Sequence, residues 1–241
     1  LLAALQPKQW VATYDAYGGN DEPIDTVASQ LRSLGQKEAF EPLRIRQVPQ
    51  ADDYQRCEEA GTDLGQLLTK ARTIAAMKAL DGDLDKALGR LSGGLYVVTA
   101  RQQTADGARS SAMVASWVSQ ASFAPPGLTV AVAKDRAVEA LLHIGDGFAL
   151  NVLAAGHEKE LMKRFLKPFA PGADRFAGLE LEASPGGQPV LPEALAWLEA
   201  TVMQRMECGD HWLLYAEVQA GALLDAGATT AVHQRRSGAH Y

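Results

Sequence analysis

Cysteine is scarce in this chain of 241 residues, which contains only Cys57 and Cys208. Because the two lie far apart in unrelated contexts, they can build neither a disulfide framework nor a four-ligand zinc site, and a reducing cytoplasm is the expected compartment. Long hydrophobic runs are missing as well. A stretch such as 128–133 is far shorter than the roughly 20 residues that a membrane-spanning helix needs, so we expect no membrane insertion.

Positive charge is in deficit, since 23 Lys and Arg stand against 29 Asp and Glu, which gives a net charge of −6. A protein that binds nucleic acid without sequence preference needs a basic stripe to displace counterions, so we expect no nucleic-acid partner. Apolar residues make up 47% of the chain, which is typical of a folded globular protein. The chain begins at Leu1 rather than Met in a helix-like segment, and we expect a fragment of a longer polypeptide.

The first part of the chain, residues 1–70, alternates strand-like and helix-like segments. Residues 10–17 are rich in β-formers, and a helix follows in which Asp21 caps the start and Gly35 ends the last turn. A second strand is expected over residues 39–48, before a long helix. Strand, helix, strand, helix with short connections predicts an α/β layer with parallel strands.

Apolar spacing predicts which faces of these two helices are buried. The expected stripe of the first helix is Ile24, Val27, Leu31 and Leu34, and that of the second is Tyr54, Cys57, Leu64 and Leu68. Two strands are too few for a complete doubly wound domain, so residues 1–70 are interpreted as the last part of one.

We place a linker at residues 71–83, beyond which the pattern turns to β over residues 84–241. The expected strands are 94–100, 128–134, 148–154, 200–208, 212–220 and 230–235, and the expected helices are 84–90, 135–144 (capped by Asp135) and 158–166. At least six strands with a few short helices predict a closed antiparallel barrel rather than an open parallel sheet.

Residues 110–126 (SSAMVASWVSQASFAPP) are the stretch most informative about chemistry. Hydroxyls and backbone N–H groups beside small apolar residues can bind an anion next to an apolar wall, which is the pairing that flavin mononucleotide (FMN) requires. The alternative from composition alone is a β-hairpin decorated with serines.

The order of motifs resembles the flavin-reductase-like split-barrel family from about Gly89 to Tyr241. This serine-rich segment is followed by a Pro-Pro strand, by the strand FALNVL at 148–153 and by Gly209-Asp210-His211. More narrowly, the chain is similar to the carboxy-terminal module of cyanobacterial flavodiiron (diflavin) flavoproteins, through LSGGLY at 91–96 and the closing SGAHY. The resemblance implies an α+β, split β-barrel fold preceded by a partial flavodoxin-like segment.

The first part supports the narrower resemblance. The segment YDAYGGNDE at 14–22, the helix after it, AFEPLRI at 39–45 and CEEAG at 57–61 are together similar to the last third of a flavodoxin-like domain. The stacking Trp of that family's Tyr-Gly-Trp loop is Gly19 here, and the amino-terminal phosphate loop is missing. We therefore expect no FMN in residues 1–70. The family's di-iron domain is also missing, and the five His residues show no metal-ligand spacing.

The resemblance also implies site residues, for several of which a structural alternative stays open. The flavin is expected along Met113, Val114, Ala115, Ser116, Trp117 and Ser119, with Ser116 and Ser119 on the phosphate or ribityl chain. Lys134 and Arg136 could neutralise the phosphate or belong to a solvated helix start. Asn151 could donate to the flavin edge or pair only with the backbone. His211 is the candidate for the nicotinamide or ring face, and otherwise a turn residue. His240 and Tyr241 could close over the flavin or fray.

Together these expectations describe an NAD(P)H:flavin oxidoreductase module with FMN as cofactor and NAD(P)H as co-substrate, acting as a homodimer. In the parent protein, electrons would pass to a di-iron site that reduces oxygen to water. The alternative is a non-catalytic split barrel that binds flavin weakly or serves assembly, because a fold alone does not decide function.

Overall fold

The computed structural model describes residues 5, 8–17, 22–46, 48–78, 82–104, 107–167, 169–235 and 237–238, without the side chains of residues 17, 22, 46, 69–74 and 76–78. The chain divides into two compact units. The first contains Leu1–Ala75, Gln103–Arg109 and Ala170–Ala173, and the second contains Ala76–Gln102, Ser110–Phe169 and Asp174–Tyr241. None of the described helices has the length and apolarity that crossing a membrane requires.

The first unit contains short parallel strand pairs and two helices. Its elements are β1 (Trp10–Val11), β2 (Tyr14–Tyr17), α1 (Glu22–Ser33), β3 (Lys37–Glu38), β4 (Leu43–Arg46) and α2 (Ala51–Lys78). Strand β1 pairs with β3 and β2 pairs with β4, both in parallel, as the strand–helix alternation predicts. The predicted cap Asp21 lies outside the described residues.

Helix α1 ends as predicted, but its buried stripe differs from the predicted one. Gly35 adopts φ +71°, and the amides of Gly35 and Gln36 bond back to the carbonyls of Arg32 and Leu31, which is a Schellman ending. The buried stripe is Ile24, Ala28 and Leu31. Val27 and Leu34 are 39% and 50% exposed, because a small residue, Ala28, lies at the contact instead.

Helix α2 is longer than predicted and continues through the first eight residues of the predicted linker. Among the side chains of this helix that the structure describes, Ala51, Glu59 and Ala60 are buried, whereas Tyr54 and Leu68 are largely exposed. The predicted apolar face of this helix is therefore wrong at both ends, because small residues and Glu59 occupy the buried positions. Glu59 accepts hydrogen bonds from Gln55 Nε2 at 3.0 Å and from the Gly172 amide at 2.7 Å.

The second unit is built on a seven-stranded sheet. Its elements are α3 (Gly82–Leu88), β5 (Gly93–Gly94), β6 (Tyr96–Thr104), β7 (Gly107–Ala115), β8 (Val118–Phe123), β9 (Pro126–Ala133), a 3₁₀ helix (Ala137–Leu141), β10 (Gly147–Val152), α4 (Glu158–Leu166), β11 (Glu182–Ala183), β12 (Pro189–Val190), β13 (Ala196–Cys208), β14 (His211–Leu223) and β15 (Val232–His233). The strand order is β7-β6-β10-β13-β14-β9-β8.

The six predicted strands all lie within or beside observed ones, and α3 and α4 match two predicted helices. The third prediction, a helix over 135–144 capped by Asp135, is wrong. Only a 3₁₀ helix forms there, it follows Arg136, and no side chain caps it. The segment fits between β9 and β10 with Val138 and Leu141 buried, so a short tight turn is sufficient to bury its apolar residues.

The main core lies on one face of this sheet. Strand β14 alternates with a period of two, so Leu214 and Ala216 are buried in the core together with Val130 and Val132 of β9. We call the opposite side of strands β13, β14, β9 and β8 the outer face. His211, Leu213 and Tyr215 of β14 point to the outer face, because they alternate with the buried residues.

Candidate functional site

The serine-rich segment forms the end of β7, a two-residue link and β8. Met113 and Ala115 are 7% and 2% exposed and belong to the main core, whereas Val114 packs against a second core cluster. Ser116 is 3% exposed, and its Oγ has no hydrogen-bond partner. Gly93 lies against this link so closely that a Cβ there would be 2.2 Å from the Ser116 carbonyl oxygen.

Trp117 brings the predicted catalytic residue and the serine segment together. Its ring lies 4.8 Å from that of His211, centroid to centroid, at an interplanar angle of 42°. The contact arises from strand register, because Trp117 accepts a hydrogen bond from the Ala131 amide and His211 pairs with Ala133 two residues further along β9. Two residues that the sequence separates widely are thus neighbours on the outer face.

His211 is positioned by one hydrogen bond and is free at its other nitrogen. Nδ1 lies 2.8 Å from Asp210 Oδ1, and the side chain is only 12% exposed. Because a carboxylate accepts, this contact requires the proton on Nδ1, which leaves Nε2 of the neutral ring as an acceptor. Nε2 is buried and has no partner. A buried ring nitrogen of this kind fits a ligand that supplies a donor.

Arg235 is a residue of this site that sequence reasoning missed. Its Cζ lies 5.1 Å above the Trp117 ring, and the residue is only 9% exposed. Two residues earlier, His233 pairs with Gly93 in the short β15–β5 ladder. Burial, and after it the charge of Arg235, lower the pKa of His233 below its ordinary value. In the sequence, Arg235 was noticeable only because it lies next to the closing SGAHY motif, and that motif does not indicate which residue Arg235 contacts.

Lys134 and Arg136 lie near the end of β9, and each already has a carboxylate partner. Lys134 Nζ donates a hydrogen bond to Glu207 and lies 5.0 Å from the centre of the Trp212 ring. That hydrogen bond and the charge of the lysine lower the pKa of Glu207. Arg136 Nε lies 3.7 Å from Asp135 Oδ1. Among the described residues, neither side chain contacts Trp117 or His211, and their role at the phosphate stays a prediction.

Ser119 and Asn151 differ sharply in exposure. Ser119 is exposed on β8, where its Oγ donates to the Gln120 carbonyl at 3.2 Å. Asn151 is fully buried: its Nδ2 donates to the Val97 carbonyl and to Thr99 Oγ1, each at 3.1 Å, and its Oδ1 accepts from the Leu191 amide at 2.8 Å. Two of these three bonds are to backbone groups, and a role of Asn151 at the flavin edge stays a prediction. His240 and Tyr241 lie outside the described residues.

The donor set of the site suits an organic ligand better than a metal ion. Within the described part of the chain, no group of three or more His, Cys, Asp or Glu side chains could hold a metal. Two buried polar atoms of the site lack a partner: Ser116 Oγ, just after β7, and His211 Nε2, at the start of β14. Trp117 follows Ser116 in the chain and contacts the His211 ring. These atoms and the aromatic ring fit a flat cofactor with polar substituents.

The family profile described as "Flavin reductase like domain" matches residues 88–239, which is more than half of the chain. The chain belongs to the flavin reductase-like family. The predicted resemblance and the split β-barrel fold class are thereby confirmed. The profile includes every predicted site residue except His240 and Tyr241, together with Arg235.

Relatives of this flavin reductase-like chain include Diflavin flavoprotein A 1 of Synechocystis sp., which is 52% identical over 241 residues. The aligned residues cover 100% of this chain and 41% of that protein. The chain thus spans about two fifths of that relative's length. Among solved structures, the NADH:FAD oxidoreductase SgcE6 of Streptomyces globisporus C-1027 is 25% identical with a TM-score of 0.55, covering 64% of this chain and 86% of that one. The styrene monooxygenase flavin reductase of Pseudomonas putida S12, 24% identical with a TM-score of 0.51, covers 61% and 89% and shows the fold alone.

Proposed function

We propose that this chain is the NAD(P)H:flavin oxidoreductase module of a diflavin flavoprotein, with FMN as the flavin. In the longer protein it would pass electrons towards a di-iron domain, outside this chain, that reduces oxygen to water. The observation that carries the proposal is the setting of His211: its Nε2 is buried and unpartnered, and its ring lies beside the exposed ring of Trp117. The names of the relatives, an NADH:FAD oxidoreductase and a diflavin flavoprotein, agree with this chemistry.

The flavin, when bound, supplies the redox chemistry by accepting a hydride and releasing electrons singly. The residues of the chain orient the two cofactors and exclude water. The Trp117 ring offers an apolar face, the Ser116 and Ser119 hydroxyls serve the ribityl or phosphate end, and His211 steadies the nicotinamide through Nε2. Asp210 holds the His211 ring in the required tautomer. We further propose a homodimer in the cytoplasm.

A flavin spectrum tests the proposal most directly. The purified 241-residue chain, loaded with FMN, should show a yellow chromophore that bleaches on anaerobic addition of NADPH or NADH. A colourless, well-folded protein that takes up no flavin would contradict the proposal and favour a non-catalytic assembly module. A bound flavin that neither nucleotide reduces would leave a flavin-binding module without reductase activity.

His211→Ala separates orientation from cofactor binding. Because His211 is proposed to act on the nicotinamide, we expect FMN affinity within a few-fold of wild type and hydride transfer slowed by about 10- to 100-fold, or roughly 1.4–2.7 kcal/mol. Stopped-flow bleaching of the oxidised flavin band measures the rate. His157→Ala, on the exposed start of α4, is the matched control and should reduce its flavin at the wild-type rate. An unchanged rate in His211→Ala removes His211 from the site.

A further inference from the structure

Arg235 is a buried cation whose charge no described carboxylate balances. The residue is 9% exposed, and none of the ion pairs among the described residues includes it. Its Nη1 contacts the Gly238 carbonyl and its Nη2 the Leu88 carbonyl, both at 3.4 Å, which is the long limit of a hydrogen bond. Burying a guanidinium without a counter-charge is costly, because the lost hydration must be replaced.

Another well-covered cation of this unit has a carboxylate partner. Arg205, with 13% of its side chain exposed, is paired with Glu139. Arg235 instead lies over the face of Trp117, next to a second ring, His211, whose Nε2 is buried and unpartnered. Ser116, one residue before Trp117, has an equally buried and unpartnered Oγ. The two side chains at the exposed Trp117 ring thus lack full partners, and so does Ser116, the preceding residue of the chain.

We infer that Arg235 binds the phosphate of a nucleotide cofactor that lies against Trp117. The inference rests on the proposed function and deepens it, since it assigns the anionic end of the ligand to a residue that follows β15. A planar guanidinium can donate two parallel hydrogen bonds to phosphate oxygens, which replace its long contacts to carbonyls. The phosphate could belong to FMN or to the nicotinamide nucleotide, since both carry the same group.

A structural role is the rival explanation for Arg235. Arg235 contacts the Leu88 carbonyl at the carboxy-terminal end of α3, where the helix dipole stabilises a cation. The same segment is held independently, however, because Ser237 Oγ bonds to Asp85 Oδ1 and the Gly238 amide bonds to the Asp85 carbonyl, each at 2.8 Å. These shorter bonds fix the segment on α3, so Arg235 is not required for that purpose.

The test compares ligands that differ by the phosphate alone. Binding of FMN and of riboflavin to the wild-type chain, Arg235→Gln and Arg235→Lys is measured by equilibrium dialysis, and binding of NADP⁺ to the flavin-loaded proteins by calorimetry. In Arg235→Gln we expect at least a tenfold loss of affinity, about 1.4 kcal/mol, for the ligand whose phosphate is bound. Arg235→Lys should restore part of it. Arg90→Gln, which removes an exposed arginine, is the control for net charge.

Each outcome assigns or overturns the inference. A tenfold loss for FMN with riboflavin within threefold places the flavin phosphate on Arg235; a tenfold loss for NADP⁺ alone places the nucleotide phosphate there. Affinities all within threefold of wild type overturn the inference while leaving the proposed function intact. An equal loss for riboflavin and FMN, with a lower melting temperature, assigns Arg235 to structure and overturns it as well. A wild-type chain that binds no ligand overturns the proposed function itself. The double variant Lys134→Ala, Arg136→Ala tests the rival phosphate residues in parallel.

Discussion

Asn151, one of the predicted site residues, makes three buried side-chain hydrogen bonds. Its amide bonds to two other segments at once: to β6 through the Val97 carbonyl and Thr99 Oγ1, and to the segment after β12 through the Leu191 amide. Because the residue is fully buried, removing the side chain leaves polar groups of the three neighbours without partners or water. The side chain therefore joins β10 and β6 to the segment after β12 rather than presenting a free donor.

For Asn151→Ala we expect a loss of about 2–4 kcal/mol in the free energy of unfolding, because a buried amide N–H and a carbonyl lose their partners. Urea unfolding followed by circular dichroism measures it. Gln204→Ala, which shortens an exposed amide on β13, should change stability by less than about 0.5 kcal/mol. A stable Asn151→Ala protein with selectively weakened flavin binding would return Asn151 to the cofactor.

His233 makes stability depend on pH in a direction that its surroundings determine. Burial and the Arg235 charge lower the pKa of His233 from 6.5 in the folded protein. Between the lowered pKa and 6.5, the unfolded chain therefore binds more protons than the folded one. This contribution to stability is complete above the unfolded pKa and is lost as the pH falls through the folded pKa.

Replacing His233 by Gln should therefore make the unfolding free energy fall less steeply between about pH 7 and pH 5. Urea titrations at several pH values give the slope. His157→Gln, an exposed residue before α4, serves as the control for removing a histidine. A slope equal to that of the wild type would show that His233 is not the group responsible.

A local motif was sufficient to single out a residue, whereas contacts that depend on a distant partner were not predictable from the sequence. Gly209-Asp210-His211 predicted His211, and the structure places it beside Trp117. No motif near Arg235 indicates that it lies over the same ring. That contact depends on the pairing of β15 with β5, whose Gly93 lies against Ser116. Exposure of Ser119 and burial of Asn151 likewise follow from sheet position, which composition does not reveal.

At the scale of elements, the β13–β14 hairpin sets the position of His211. The turn between Cys208 and His211 contains Gly209 at φ +63°, a left-handed conformation that glycine adopts without strain. Asp210, the next residue, bonds to His211 through Oδ1 and accepts the Lys134 amide through its carbonyl at 3.0 Å. The turn thus links the histidine to the end of β9.

Gly209→Ala should lower the free energy of unfolding by about 1–2 kcal/mol, because a Cβ is disfavoured at this φ. No atom lies within 4 Å of the position of that Cβ, so the effect is conformational rather than steric crowding. Gly209→Asn should cost less, since Asn tolerates the left-handed region. Thermal unfolding of the three proteins gives the order; equal stability of Ala and Gly would show that the turn adopts another conformation.

Elements with strong local signals were predicted most accurately. Helix α4 begins at Glu158 and ends at Leu166, which are the predicted bounds. The long strands β13 and β14 were predicted too short: β13 begins at Ala196 rather than at residue 200, and β14 covers His211–Leu223 rather than 212–220. The helix predicted over 135–144 became a 3₁₀ turn because burying Val138 and Leu141 between two strands requires a short connection.

At the scale of the molecule, the outer face places the proposed site on a surface that a second copy can cover. Met206 pairs with Leu213 on this face, and Met206 is 56% exposed. Ala131 and Trp117 adjoin them across β9. An apolar surface beside a cofactor site fits an isologous contact, in which the same patch of both copies meets.

We therefore expect a homodimer through residues 84–241, and Met206→Asp should weaken it by roughly tenfold or more, because a charge would be buried at its centre. Sedimentation equilibrium at micromolar concentrations measures association. Ile144→Asp, which alters an exposed apolar residue outside the outer face, should dimerise as the wild type does. A wild-type monomer that still binds flavin would refute the expected assembly.

The pairing of Cys208 with His211 across the β13–β14 turn also provides a spectroscopic handle. Cys208 is exposed, and the second thiol, Cys57, is half-buried. With Cys57 changed to Ser, a nitroxide on Cys208 becomes the single spin label of each chain, directly opposite the histidine. Its line shape then reports immobilisation when a cofactor is added, and dipolar coupling between two labels reports the separation of the two histidines in an assembled pair.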